Sequence, residues 1–283
     1  MHTRPLVLAT VLASVLAAAF ATSMSAVAVA ALASDPPAAK PQPGADARGA
    51  QIAREAVAAM GGAEWASIRS YESVARMKSA VGEMLATYRF VAPDAHLLEQ
   101  RMNGGGRAMA MEMGFADGIA WTGDAGKPQA VDPAMAAEFA RGGDVVTLLR
   151  SLDERFTDFR ADGAEKLGDR VVERVTMRPK AATAGAPRWT VFIEPSTRLV
   201  AGLEIPAPEG TPEAERADRT QRLQFSDWRA IPRANKGSTP LRAPHAYTIV
   251  AGGVRTECVF ESIAVDTLAA GSIRAPESLR ARR

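Results

Sequence analysis

Three histidines, His2, His96 and His245, and a single cysteine, Cys258, are the side chains best suited to base or nucleophile chemistry near neutral pH. None of the histidines lies at ligand spacing from another, so no metal cluster is expected. His96 follows Pro93-Asp94, which reads as a solvated turn position, and His245 follows Pro244 at the start of a strand. Cys258 shares strand parity with Val254, Thr256 and Phe260, the pattern of a buried structural thiol, and one cysteine cannot form an intrachain disulfide. Glu112, Asp117 and Asp124 are too scattered to name a glycosidase pair. Gly104-Gly105-Gly106 lacks a following Lys-Ser/Thr and precedes a strand, so no phosphate-cradling loop and no cofactor are expected. The chain reads as a non-enzyme.

The other distinctive chemistry is sulfur. Met109, Met111 and Met113 fall with Phe115 on one strand face, and Met77, Met84, Tyr88, Phe90 and Met102 hold the same parity on neighbouring strands. Methionine is unbranched and polarizable, suited to a surface that fits varied apolar shapes. These residues are expected either to line an apolar ligand hollow or to fill a core, and the sequence leaves both open. Trp121, Trp189 and Trp228 read as a rim or as packed residues, with packing favoured for Trp189.

The elements that position these residues follow from periodicity. Ile52, Ala56, Ala59 and Met60 recur at helical spacing over 50–60, and Gly61-Gly62 ends that helix. From Tyr71 the period becomes two, with strands through 71–78, 84–90, 96–102 and 109–115. Asn103-Gly104 and Asp117-Gly118 supply tight turns before Trp121. Residues 132–159 read as helical, with Asp144 capping a segment that carries Val145, Leu148, Leu149 and Leu152. Strands resume over 171–177, 189–193, 199–205, 223–228 and around Gly252-Gly253, and 206–218 reads as a loop. About ten strands joined mostly by short turns predict a mainly β (α+β) fold. Its strongly curled antiparallel sheet forms an incomplete barrel, covered by helices acting as plug or lid.

Hydrophobic residues make 47% and charged residues 23% of the 283, a globular balance. Omitting Arg4 leaves 33 basic against 32 acidic residues, which gives no pull toward nucleic acid. Arg4 precedes an apolar run, Leu6 to Ala33, closed by small residues and by Asp35-Pro36-Pro37, the layout of a secretory signal peptide. Residues 1–34 are therefore expected to be a signal peptide, 35–49 a disordered linker and 50–283 one domain. The rival is an inner-membrane anchor formed by uncleaved residues 6–33. The basic tail, with Arg274, Arg280, Arg282 and Arg283, reads as a solvated terminus.

Several stretches in order resemble the periplasmic lipoprotein-carrier family, the LolA/LolB-type half-barrels. They are Gly61-Gly62, Tyr88-Arg89-Phe90-Val91-Ala92-Pro93, Ala116-Asp117-Gly118-Ile119-Ala120-Trp121, Phe192-Ile193-Glu194-Pro195-Ser196-Thr197 and Phe225-Ser226-Asp227-Trp228-Arg229. The resemblance spans most of 50–280 and implies an incomplete barrel whose apolar hollow accepts acyl chains. Where the family places an Arg before the Pro of the second strand to hold the lid closed, this chain has Ala92, and Arg89 falls on the opposite face from Phe90. The expected function is a periplasmic carrier of a lipid, a lipid-modified protein or another apolar ligand, touching membrane only transiently if the signal is cut. The alternative is a filled-core interaction module, an accessory subunit of an envelope complex or protease.

Overall fold

A computed structural model of the chain describes residues 46–80, 82–104, 107–124, 126–131, 144–180, 186–207, 210–233 and 239–281. Among these residues thirteen strands form one antiparallel sheet. They are β1 (Ser70–Ser79), β2 (Gly82–Val91), β3 (Ala95–Gly104), β4 (Arg107–Ala116), β5 (Ile119–Asp124) and β6 (Lys127–Ala130), then β7 (Phe156–Leu167), β8 (Arg170–Pro179), β9 (Trp189–Ile193), β10 (Val200–Ile205), β11 (Gln221–Ala230), β12 (Arg242–Ala251) and β13 (Val254–Val265). The spatial order runs β6 to β1, then β13 down to β7. Every pairing joins sequence neighbours except β1 with β13, which closes the two meanders into one sheet. The two edges, β6 and β7, are consecutive in sequence. The described part of the segment between them carries two helices, α2 (Val145–Arg150) and α3 (Leu152–Arg155).

Helix α1 (Ala47–Ala59) precedes the sheet. Its buried stripe of Ile52, Ala53, Ala56 and Val57 joins Val145, Leu149 and Leu152 of α2 and α3 in the main core, against Val175, Met177, Val191 and Ile193 of the sheet. Asp46 caps α1 through the Gly49 amide, and its other oxygen accepts the Ala161 amide at 2.8 Å, so the helix start is tied to β7. A Cβ on Gly49 would meet the β7 backbone at 2.8 Å, which is why glycine stands at this crossing.

Several expectations change. Residues 46–49, assigned to a linker, belong to α1 and its cap. Of the helical stretch expected over 132–159, residues 132–143 lie outside the described residues, and the helix ends at Arg155. β7 follows at once and was not expected. Its register shifts between Thr157 and Arg160 and between Ala161 and Ala164, which scrambles the alternation that identifies a strand. β6 was also unforeseen, being only four residues long and mostly exposed. Within the expected loop 206–218 begins a short helix, α4 (Glu213–Arg219), with no buried residue and hence no apolar stripe to announce it. The carboxyl-terminal segment is packed: Ile273, Ala275 and Leu279 of the turn α5 (Glu277–Arg280) and its approach bury against Val91, Ile119 and Trp121.

Candidate functional site

Cross-strand register turns the methionine pattern into a lattice on the face that meets the helices. One row is Met77, Met84, Met102 and Met109, directly paired from β1 to β4. The next is Ala75, Ala86, Gln100 and Met111; then Ser73, Tyr88, Leu98 and Met113; then Tyr71, Phe90, His96 and Phe115. Side chains in adjacent strands of a row stand within contact range, so the nine residues singled out from sequence form one continuous surface.

The surface is not evenly covered. Met77 is 3% exposed and Met84 6%, whereas Met109 at the far end of their row is 39% exposed. Met77, Met84 and Tyr88 belong to the packed core, with Phe90 and Leu98 partly buried against it. Met102, Met111 and Met113 are half-buried, and Phe115 is buried. The helical half of the face is filled: beneath α2, between Trp65, Tyr71, Phe90 and Val146, the remaining void is about 10 Å³, room for one water. An open depression of about 550 Å³ meets Met84 and Met109 at the end of their row. Arg76, Leu85 and Arg101 of the opposite face also border it, so it opens over the rim of the sheet.

What holds α2 down is a polar clamp that sequence reading recognised only as a cap. Asp144 accepts from the Thr147 amide at 2.9 Å and from the Thr147 hydroxyl at 3.0 Å, and its other oxygen accepts from the Tyr71 hydroxyl at 2.8 Å and the Ser73 hydroxyl at 3.2 Å. Burial, together with the nearby Asp144 carboxylate, raises the Tyr71 phenol well above its ordinary pKa, so it stays a donor. Arg150 lies over the Trp65 ring, 5.6 Å from its centroid. Arg89, the remaining candidate for the family's lid-holding Arg, points to the convex face and bridges Glu72 and Glu99. The helices are thus anchored from their own side.

The nucleophile and base candidates are dispersed. His96 is buried rather than solvated, stacked between Tyr88 and Phe115 with centroids 6.3 and 6.0 Å away, its Nδ1 3.2 Å from the Asp94 carbonyl. Burial lowers its pKa below the ordinary 6.5. Cys258 is buried beside Tyr247, and burial pushes its thiol up to about 12, so it is a structural thiol. His245 lies in β12 two residues before Tyr247, its Nδ1 3.2 Å from the Ala243 carbonyl. Among the described residues no three His, Cys, Asp or Glu side chains gather to hold a metal ion. Trp121 is 2% exposed beneath the carboxyl-terminal segment, Trp189 is buried, and Trp228 donates to the Val200 carbonyl at 3.2 Å. The tryptophans are packed and form no rim.

No family model matches the sequence, and no curated protein does. Solved structures do match by fold. A DUF1329 family protein from Desulfovibrio piger shares 9% identity at a TM-score of 0.51, over 82% of this chain and 98% of that one. The chain shares the fold of that protein. At that identity the likeness concerns fold alone. An outer membrane lipoprotein-sorting protein domain from Vibrio parahaemolyticus matches at 15% identity and a TM-score of 0.49, over 79% of this chain and 94% of that one. A LolA superfamily protein from Nitrosomonas europaea matches at 10% and 0.45, over 78% and 94%. No helix among the described residues is long and apolar enough to cross a membrane.

Proposed function

We propose that this LolA/LolB-like chain is an exported, non-enzymatic binder of a lipid or lipid-modified protein, and that the ligand's apolar part lies on the open half of the methionine lattice. The observation that carries the reading is the gradient along one row, from Met77 and Met84 packed under the helices to Met109 at 39% exposure. Thioether side chains adapt to a chain of any packing shape, and each methylene removed from water contributes about 0.8 kcal/mol. An acyl chain laid along Met102, Met109, Met111 and Met113 would extend a core that already exists. Export rests on residues 1–34 acting as a signal peptide, and the place of action on this reading is the periplasm.

The filled space under α2 favours a second reading, in which the lattice is core and the protein is an interaction module. Met111→Glu separates the two. On the carrier reading the variant folds, because an open face hydrates the carboxylate, and saturable binding of an environment-sensitive apolar dye is lost. On the module reading it unfolds, because a packed interior does not. Glu112→Gln, on the opposite face, should leave dye binding unchanged. A folded Met111→Glu protein that binds dye as before would remove the methionine face from the function altogether.

A further inference from the structure

We propose that Arg160, Arg178 and Arg188, gathered around Asp158, form an anion site for a phosphoryl group on the convex face of the sheet. The cluster lies where β7, β8 and β9 meet. Phe156 and Phe159 point into the main core, as do Met177 and Trp189, so Arg160, Arg178 and Arg188 emerge on the other side. This is the face opposite the methionine lattice, so the site does not depend on the apolar-ligand reading.

Positive charge is in excess. The Asp158 side chain is only 5% exposed, and Arg188 bonds its Oδ2 and its backbone carbonyl. Arg188 also donates to the Thr176 hydroxyl and carbonyl, each at 3.2 Å, which commits this guanidinium to holding the cluster together. Arg160 reaches Asp158 at 3.6 Å and Arg178 at 3.8 Å, both beyond hydrogen-bond distance. The Nε atoms of Arg160 and Arg178 are buried and have no hydrogen-bond partner among the described residues, and neither has Asp158 Oδ1. Three guanidiniums thus surround one carboxylate, a net charge of +2 in a partly desolvated place.

The backbone is bent to make this happen. Asp158 sits in the β7 bulge at φ 53°, a left-handed conformation uncommon for a residue with a side chain. The bulge turns Asp158 toward the arginines while Phe159 stays in the core. Such strain accompanies functional positions more often than plain sheet. Arginine forks match the oxygens of a phosphoryl group, and an anion seated here would accept from the two unpartnered Nε donors and offset the excess charge. The phosphoryl group could belong to a phospholipid head or to a soluble phosphate ester.

Titration calorimetry with inorganic phosphate, and flotation with phosphatidylglycerol or phosphatidylcholine vesicles, test the site and its source. The wild-type protein should bind phosphate saturably, and Arg160→Gln and Arg178→Gln should each weaken binding about tenfold. Arg160, 40% exposed, is replaceable without disturbing the fold, and a melt checks this. Arg229→Gln, which removes one exposed charge paired with Asp227, should leave binding intact. Preference for phosphatidylglycerol vesicles that Arg160→Gln abolishes assigns a lipid head; phosphate binding without that preference assigns a soluble ester. Absence of saturable binding to either, or equal weakening by Arg160→Gln and Arg229→Gln, overturns the proposal.

Discussion

His96 shows how a single residue's setting is decided by its strand partners. Beside Pro93-Asp94 it reads as a turn residue, yet the register places it between Phe90 and Phe115 on the concave face. A base whose pKa is lowered by folding is protonated first in the unfolded chain as the pH falls. Its contribution is therefore present above pH 6.5 and lost as the pH drops through and below that value. His96→Phe keeps the ring stack and removes this linkage. The variant's melting temperature should fall less between pH 7 and pH 5 than that of the wild type. An equal fall in both would locate the acid sensitivity elsewhere.

At the scale of elements, the decisive contacts are those that fasten helices and straps to the two faces of the sheet. On the concave face, Asp144 clamps α2, and Arg198 joins Glu55 of α1 to Glu173 of β8. On the convex face the carboxyl-terminal segment is anchored by the Leu268 amide to the Ser70 hydroxyl and by the Ala275 amide to Asp117. Trp121 lies between that segment and Gly114, its cross-strand partner. A Cβ at Gly114 would come within 2.4 Å of the Trp121 ring and 2.9 Å of the His96 carbonyl. Gly114→Ala should therefore lift the ring, destabilise the protein by roughly 1–3 kcal/mol in urea unfolding and red-shift the tryptophan emission. An unchanged midpoint and spectrum would mean that the convex layer is loosely held.

At the scale of the molecule, two meanders meet at β1 and β13, and α2 and α3 lie over the concave face. α1 completes that layer from the amino-terminal side. Deleting residues 1–45 should shift the melting temperature by no more than about 2 °C, because the cap of α1 and its tie to β7 are made by Asp46, which the deletion keeps. Deleting 1–60 removes Ile52, Ala53, Ala56, Val57 and Met60 from the core and should abolish the cooperative transition. A deletion of 1–45 that costs many degrees would mean that the amino-terminal residues pack on the domain.

The sequence by itself determined whatever depends on neighbours a few residues apart. Strand parity set Met77, Met84, Met102, Met109, Met111 and Met113 on one face, because side chains alternate wherever the backbone is extended. The Asp144 cap, the Gly61-Gly62 stop and the Asp117-Gly118 turn were legible because each satisfies a local backbone need. Only the tertiary structure decided which half of that face the helices fill and that His96 and Trp121 are buried. It also decided that the tail covers the convex side and that three arginines converge on Asp158. Those outcomes join partners distant in sequence, such as Asp46 with Ala161 or Ser70 with Leu268. They turn on bulges, register and fit between surfaces, and periodicity carries no record of a contact that the chain makes with itself from so far away.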